Sequence, residues 1–254
     1  MALFTDGTIS TAEDLRVYDS HILELASIEN VDLTAKLALA EKEVSVELQA
    51  FLARELGNDE PYSPESISLS GLVVTEPLRQ WHCLRALSAV YRDVYHSQLN
   101  DRYLGRWKEF SRLDAAAARL LFDTGLGMVR MPVPQSQAPT VTVVPGSIEP
   151  AAYFVQTTWL NELGQEGRPS AVTAILASEF HSLIIAPGAR PAIATHWNAY
   201  IGDSEEGIGR QNMLPLAAGE TWSLPIIGVI RGPKPAAGQL ADYFVRPGRA
   251  LRRG

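Results

Sequence analysis

The side chains best suited to chemistry in this chain are five histidines, one cysteine and a group of carboxylates, and their spacing decides what they can do. His21, His82, His96, His181 and His196 are scattered through the 254 residues. None belongs to a His-Glu-x-x-His motif or to a Cys/His set with metal-ligand spacing, so no metal site is expected. His82 stands beside Cys83, the single cysteine. A thiol and an imidazole make a nucleophile and its base only when they face each other, and adjacent helical residues project about 100° apart. Cys83 therefore reads as a core thiol. Gly125-Leu126-Gly127 lacks the third glycine of a dinucleotide fingerprint and reads as a helix terminator, and no Gly-x-Ser-x-Gly elbow occurs. Glu41, Glu43 and Glu47 share a helical stretch with Lys42, the pattern of a solvated face. No catalytic residue and no cofactor is assigned, and the chain is expected not to be an enzyme.

A second group of residues is suited to contact rather than catalysis. Trp81, Tyr91, Tyr95, Tyr103 and Trp107 fall on two consecutive helical stretches joined by a short turn, flanked by Arg79, Arg85, Arg92, Arg102, Arg106 and Arg112. Such residues pack helices together, and Trp, Tyr and Arg are also the types enriched at interface hot spots. Trp81, Arg85, Arg92, Tyr95, Tyr103 and Trp107 are accordingly the candidate interface. Arg249, Arg252 and Arg253, in a basic tail over residues 247–254, join them as groups able to order on a neighbouring subunit or an acidic partner.

The elements that carry these residues change character midway. Ser10-Thr11-Ala12-Glu13 has capping-box form and predicts a helix to about Ile28. After a turn at Glu29-Asn30-Val31, Asp32 caps a second helix with a buried stripe of Leu33, Leu37, Val44, Leu48, Phe51 and Leu52, ended by Gly57. Asn58–Thr75, with two prolines and several serines, reads as a long loop. A third helix follows from near Pro77 to about Leu99, and a fourth from Asn100-Asp101 to Gly125 or Gly127. Three prolines in the nine residues Met131–Pro139 exclude helix and mark residues 132–139 as a linker.

Beyond the linker the hydrophobic period becomes two. Strands are expected at Thr140–Val144, Ala152–Leu160, Ala171–Leu176, Ser182–Ala186, Thr195–Ile201, Glu220–Leu224 and Asp242–Arg246. The expected fold class is α+β and multidomain: an antiparallel helical bundle over 1–131, then a seven-stranded β-sandwich over 140–246.

Charge follows the same division. Residues 1–131 hold 13 basic and 20 acidic side chains, whereas residues 132–254 hold nine of each. An acidic helical half does not draw nucleic acid to itself, because phosphate binding depends on Lys and Arg displacing counterions. It suits a wall past which DNA slides. No run approaches the roughly 20 apolar residues of a bilayer-spanning helix, and one cysteine makes no internal disulfide, so a cytoplasmic setting without membrane is expected.

Pro77-Leu78-Arg79-Gln80-Trp81 through Tyr91-Arg92-Asp93, followed by Tyr103-Leu104-Gly105-Arg106-Trp107-Lys108, sits in a layout of helix, loop and antiparallel helix pair. This layout resembles the head-tail connector (adaptor) proteins of tailed phages and gene transfer agents. Tyr153-Phe154-Val155-Gln156, with Asn161, Gly164 and Gly167-Arg168-Pro169-Ser170 after it and Trp197-Asn198-Ala199-Tyr200-Ile201-Gly202 later, is similar to fibronectin type III or immunoglobulin-like modules. The resemblance implies a virion component of the phage neck, assembled in the host cytoplasm. It would form a homo-oligomeric ring between the portal protein and the next neck or tail component, and DNA would pass through without sequence-specific binding. The alternative is a binding module whose sandwich recognises a protein or carbohydrate while the helices oligomerise. An open platform of Trp159, Trp197 or Trp222 would favour that alternative.

Overall fold

The computed structural model describes residues 1–56, 68–98 and 101–248. It is α+β, with a helical region followed by antiparallel sheets. The chain divides into two compact units, each made of two stretches: Gly7–Met128 with the segment from Ala241, and Met1–Asp6 with Val129–Leu240.

The helical unit contains α1 (Ala12–Arg16), α2 (Ile22–Ile28), α3 (Leu33–Leu56), α4 (Glu76–Gln98) and α5 (Leu104–Thr124). The single first helix expected from Ser10 is two. Its cap is Thr11, whose side chain and that of Asp14 bond each other's backbone amides, because the Ser10 hydroxyl is bonded to His82 instead. The break between α1 and α2 falls where Asp19 turns its carboxylate to the His21 amide and to the Tyr91 hydroxyl. Asn30, with φ of 54°, makes the left-handed turn before α3, and Asp32 caps that helix by accepting from the Ala35 amide at 3.1 Å.

α4 packs between α3 and α5, and this explains why its apolar residues do not form one stripe. Trp81, Leu84, Leu87, Val90, Tyr91 and Val94 are buried, and so are Cys83, Ala86 and Ala89 on other sides. α5 ends at Gly125, whose φ of 101° suits glycine. The long loop expected over Asn58–Thr75 lies partly outside the described residues, as do Gly57, Leu99 and Asn100. Its described end is not free: Leu72, Val73 and Val74 are buried, and the Val73 amide donates to Gly127 O.

Gly127 belongs to β1 (Leu126–Met128), which pairs antiparallel with β10 (Tyr243–Val245). The strand expected at Asp242–Arg246 thus forms, but it pairs within the helical unit rather than joining a sandwich. Local sequence specifies an extended conformation; the partner is a matter of topology.

In the β unit, β2 (Thr140–Ile148), β5 (His181–Ala186) and β9 (Trp222–Ser223) form one sheet. β4 (Thr173–Ala177), β3 (Ala151–Leu160), β6 (His196–Gly202) and β7 (Gly209–Arg210) form the other, with β8 (Leu216–Ala217) also on β6. The two-residue strands β7 and β8, like β1, are too short to show periodicity. Tyr153, Val155 and Trp159 of β3, Leu183 and Ile185 of β5, and Trp197 and Ile201 of β6 share one core. The stretch 132–139, which reads as a linker, is packed into this unit: Val133 is in the core and its amide donates to Gln239 Oε1 at 2.6 Å. The Gln135 amide donates to Asp6 Oδ1 at 2.7 Å.

Candidate functional site

Helical spacing and the packing of α4 between its neighbours bring the residues with the most chemical potential to one place. Trp81 and Arg85 are one turn apart on α4, as are Glu43 and Glu47 on α3. The Arg85 Nε–H donates to both oxygens of Asp114 on α5, at 3.0 and 2.9 Å. Its Nη2 donates to Glu47 at 2.8 Å and its Nη1 to Glu43 at 3.3 Å. The guanidinium lies 5.5 Å from the Trp81 ring centre, and the Trp81 Nε1–H donates to Asp114 Oδ1 at 2.8 Å.

Burial raises the Asp114 carboxyl above its ordinary value, with Arg85 and Trp81 opposing. Burial alone would lower Arg85, but the hydrogen bond and charge of Asp114, followed by Glu47, raise it overall. The contact geometry favours the ionised pair, since a proton on an Asp114 oxygen would set donor against donor. Three carboxylates thus share one cation, and Glu43 and Glu47 of α3, though partly open to solvent, have an internal partner that Glu41 does not share. Sequence reasoning missed this convergence because its members are 29 to 42 positions from Arg85.

The histidine and cysteine of α4 are equally internal. The Leu37 carbonyl can only accept, so the His82 Nε2 at 3.1 Å carries the hydrogen; Nδ1 then accepts from the Ser10 hydroxyl at 2.6 Å. This is a serine donating to a histidine, but Ser10, His82 and Cys83 are only 3%, 1% and 1% exposed. Burial lowers His82 and raises the Cys83 thiol, so both are held neutral. Among the described residues no group of three His, Cys, Asp or Glu side chains is placed to hold a metal ion. No described helix is long and apolar enough to cross a membrane.

The candidate interface separates into two sets. Trp81 and Tyr103 are buried, and the Tyr103 hydroxyl donates to Glu29 Oε1 at 2.5 Å. With Arg85 engaged in the ion network, these three hold helices together and present no docking surface. Tyr95 and Trp107 stack with ring centres 5.5 Å apart, and both stay half-buried. His96 packs against both rings, and exposed Arg92 lies on the same face of α4 one turn before. Arg249, Arg252 and Arg253 lie outside the described residues.

In the β unit, Trp159, Trp197 and Trp222 are buried, so they form core rather than an open platform. Sequence reasoning also missed Glu166, whose Oε1 accepts from the Tyr200 hydroxyl at 2.6 Å, the Asn198 amide at 3.0 Å and the Thr158 hydroxyl. Burial first, then Glu166, raises the Tyr200 phenol. This network ties the segment after β3 onto the sheet.

The surface of the β unit carries the opposite kind of feature. Met213, Leu214, Ile226 and Ile227 are each at least 79% exposed on two loops. Gln211 fastens the loops at their base, its side-chain amide donating to Ile230 O at 2.8 Å and accepting from Ile230 N at 2.9 Å. Compared with known proteins, the chain matches no family model, no curated protein and no solved structure.

Proposed function

We propose that this chain is a structural assembly subunit: a head-tail connector of a tailed-phage or gene-transfer-agent-like particle, forming a homo-oligomeric ring between portal and neck. In this reading the helices are an antiparallel connector-type bundle, and the two sheets are a sandwich of immunoglobulin or fibronectin III type. The observation that carries it is the pair of stapled loops bearing Met213, Leu214, Ile226 and Ile227, whose exposure is costly unless a partner covers them. The reactive groups of α4, by contrast, are spent on internal bonds, as expected where the helices serve as scaffold.

Several further features support the reading. The chain's excess negative charge lies in its helical half, which suits a surface that DNA passes without sticking. A closed ring needs one heterologous interface repeated around its axis, and the half-buried Tyr95 and Trp107 beside exposed Arg92 are the residue types such interfaces use. Burial of Trp159, Trp197 and Trp222 leaves the carbohydrate-binding alternative without its platform.

The experiment is incorporation. Leu214→Asp and Ile227→Asp are introduced into the chain in its source cells, and particles are isolated and quantified for the protein. Folded variants absent from particles that retain the unmodified chain support the reading, whereas unchanged incorporation removes its carrying observation.

A further inference from the structure

β2 pairs with β5 alone, and its other side meets no strand among the described residues. The backbone N–H and C=O groups along such an edge are a template for another strand, and folds ordinarily blunt it with charge, proline, a bulge or short length. The far edges of the two sheets follow that rule, since β7 and β9 are two residues long. β4, the remaining edge, is longer, but two of its five residues are alanine, which strands disfavour.

β2 is blunted only at its ends. Pro139 precedes it, and Pro145 with the register shift after it interrupts the far end. Between them, Thr140-Val141-Thr142-Val143-Val144 contains no charge, no proline and no glycine, and all five residues are β-branched. These are the types that fit an extended strand best. Thr140, Thr142 and Val143 are exposed, while Val141 packs against the core.

We propose that this segment pairs antiparallel with the same segment of a second copy of the chain, about a two-fold axis at Thr142. The segment is close to a palindrome, so the pairing sets Thr142 against Thr142, Val141 against Val143 and Thr140 against Val144. Each is a cross-strand pair of β-branched side chains, the contact by which neighbouring strands stabilise each other. Val141 and Val143 share one face of β2, so Val143, 44% exposed in the single chain, is covered by Val141 of the second copy. The lack of charge favours the same occupant, because near a two-fold axis every charge would meet its like. Two three-stranded sheets become one continuous sheet across the pair. The contact joins copies in twos and does not rest on the connector reading, in which a separate, heterologous interface closes the ring.

Sedimentation equilibrium of the full chain tests the pairing. The unmodified chain is expected to associate in pairs, and Thr142→Lys, which opposes two cations at the axis, is expected to halve the mass at the same concentration. A short thiol-to-thiol cross-linker should join copies of Thr142→Cys but not of Val17→Cys, an 80% exposed position in the helical unit. Cys83 is left in place because it is buried. A monomer at every concentration, or a mass that Thr142→Lys leaves unchanged, overturns the inference. Equal cross-linking at the two positions also overturns it, because the copies then meet only by collision.

Discussion

Arg85 and Asp114, 29 positions apart, meet with both carboxylate oxygens accepting from one Nε–H, and this contact joins α4 to α5 while the other guanidinium nitrogens join α4 to α3. Side-chain exposures of 17% for Arg85 and 14% for Asp114 place the contact in the interior, where an ion pair is costly to break.

Arg85→Met should destabilise the chain by about 3–5 kcal/mol, because it strands a buried carboxylate and leaves Glu43 and Glu47 repelling it. Arg92→Ala, on the exposed face of the same helix, should change stability by no more than about 0.5 kcal/mol. Denaturant unfolding of the two variants makes the comparison. Equal effects would contradict the assignment of Arg85 to the interior and Arg92 to the surface.

His82 gives stability a pH dependence whose sign follows from its environment. Burial holds its folded pKa below the ordinary imidazole value of 6.5. Between the lowered folded value and 6.5 the unfolded chain binds the extra proton, so stability is fully present above pH 6.5 and is lost as the pH falls. Thermal unfolding followed from pH 7.5 to 5.5 should show a falling midpoint. The His82 ring resonances should keep their neutral-imidazole shifts while the protein stays folded.

Cys83 should be silent in the folded protein. Its thiol is buried and its pKa raised by that burial, so a disulfide reagent at pH 8 should find no reactive thiol until denaturant is added, then one per chain. Rapid stoichiometric reaction without denaturant would contradict the packing of α4.

Glu166→Ala should cost about 2–3 kcal/mol, since it leaves the buried Tyr200 hydroxyl and Asn198 amide without their acceptor. Glu166→Gln, which retains an acceptor oxygen, should cost less. Calorimetric unfolding of both variants checks the order.

The parts of this fold legible in sequence are those set by local chemistry. Asp32 capping α3, Gly125 ending α5 and the alternation of Tyr153, Val155 and Trp159 in β3 each depend on neighbours a few residues away. Features set by distant partners were hidden. Ser10 has the form of a helix cap, but its hydroxyl goes to His82, 72 positions on, so Thr11 caps the first helix instead, and Asp19, bonded to Tyr91 72 positions on, marks where it breaks. β2 continues through Pro145 and Gly146 to Ile148 because it is an edge strand, where proline interrupts no second ladder. The link from Glu43 and Glu47 of α3 to Arg85 is hidden for the same reason, since nothing near these partly solvated carboxylates in sequence announces their partner.

The central claim, an assembly subunit at a particle neck, is tested most directly by imaging native particles from the source cells and measuring the copy number of this chain by mass spectrometry. The account predicts a stoichiometric ring below the portal with density fitting both units. Particles that lack the chain, with the protein recovered only in the soluble fraction, would contradict it.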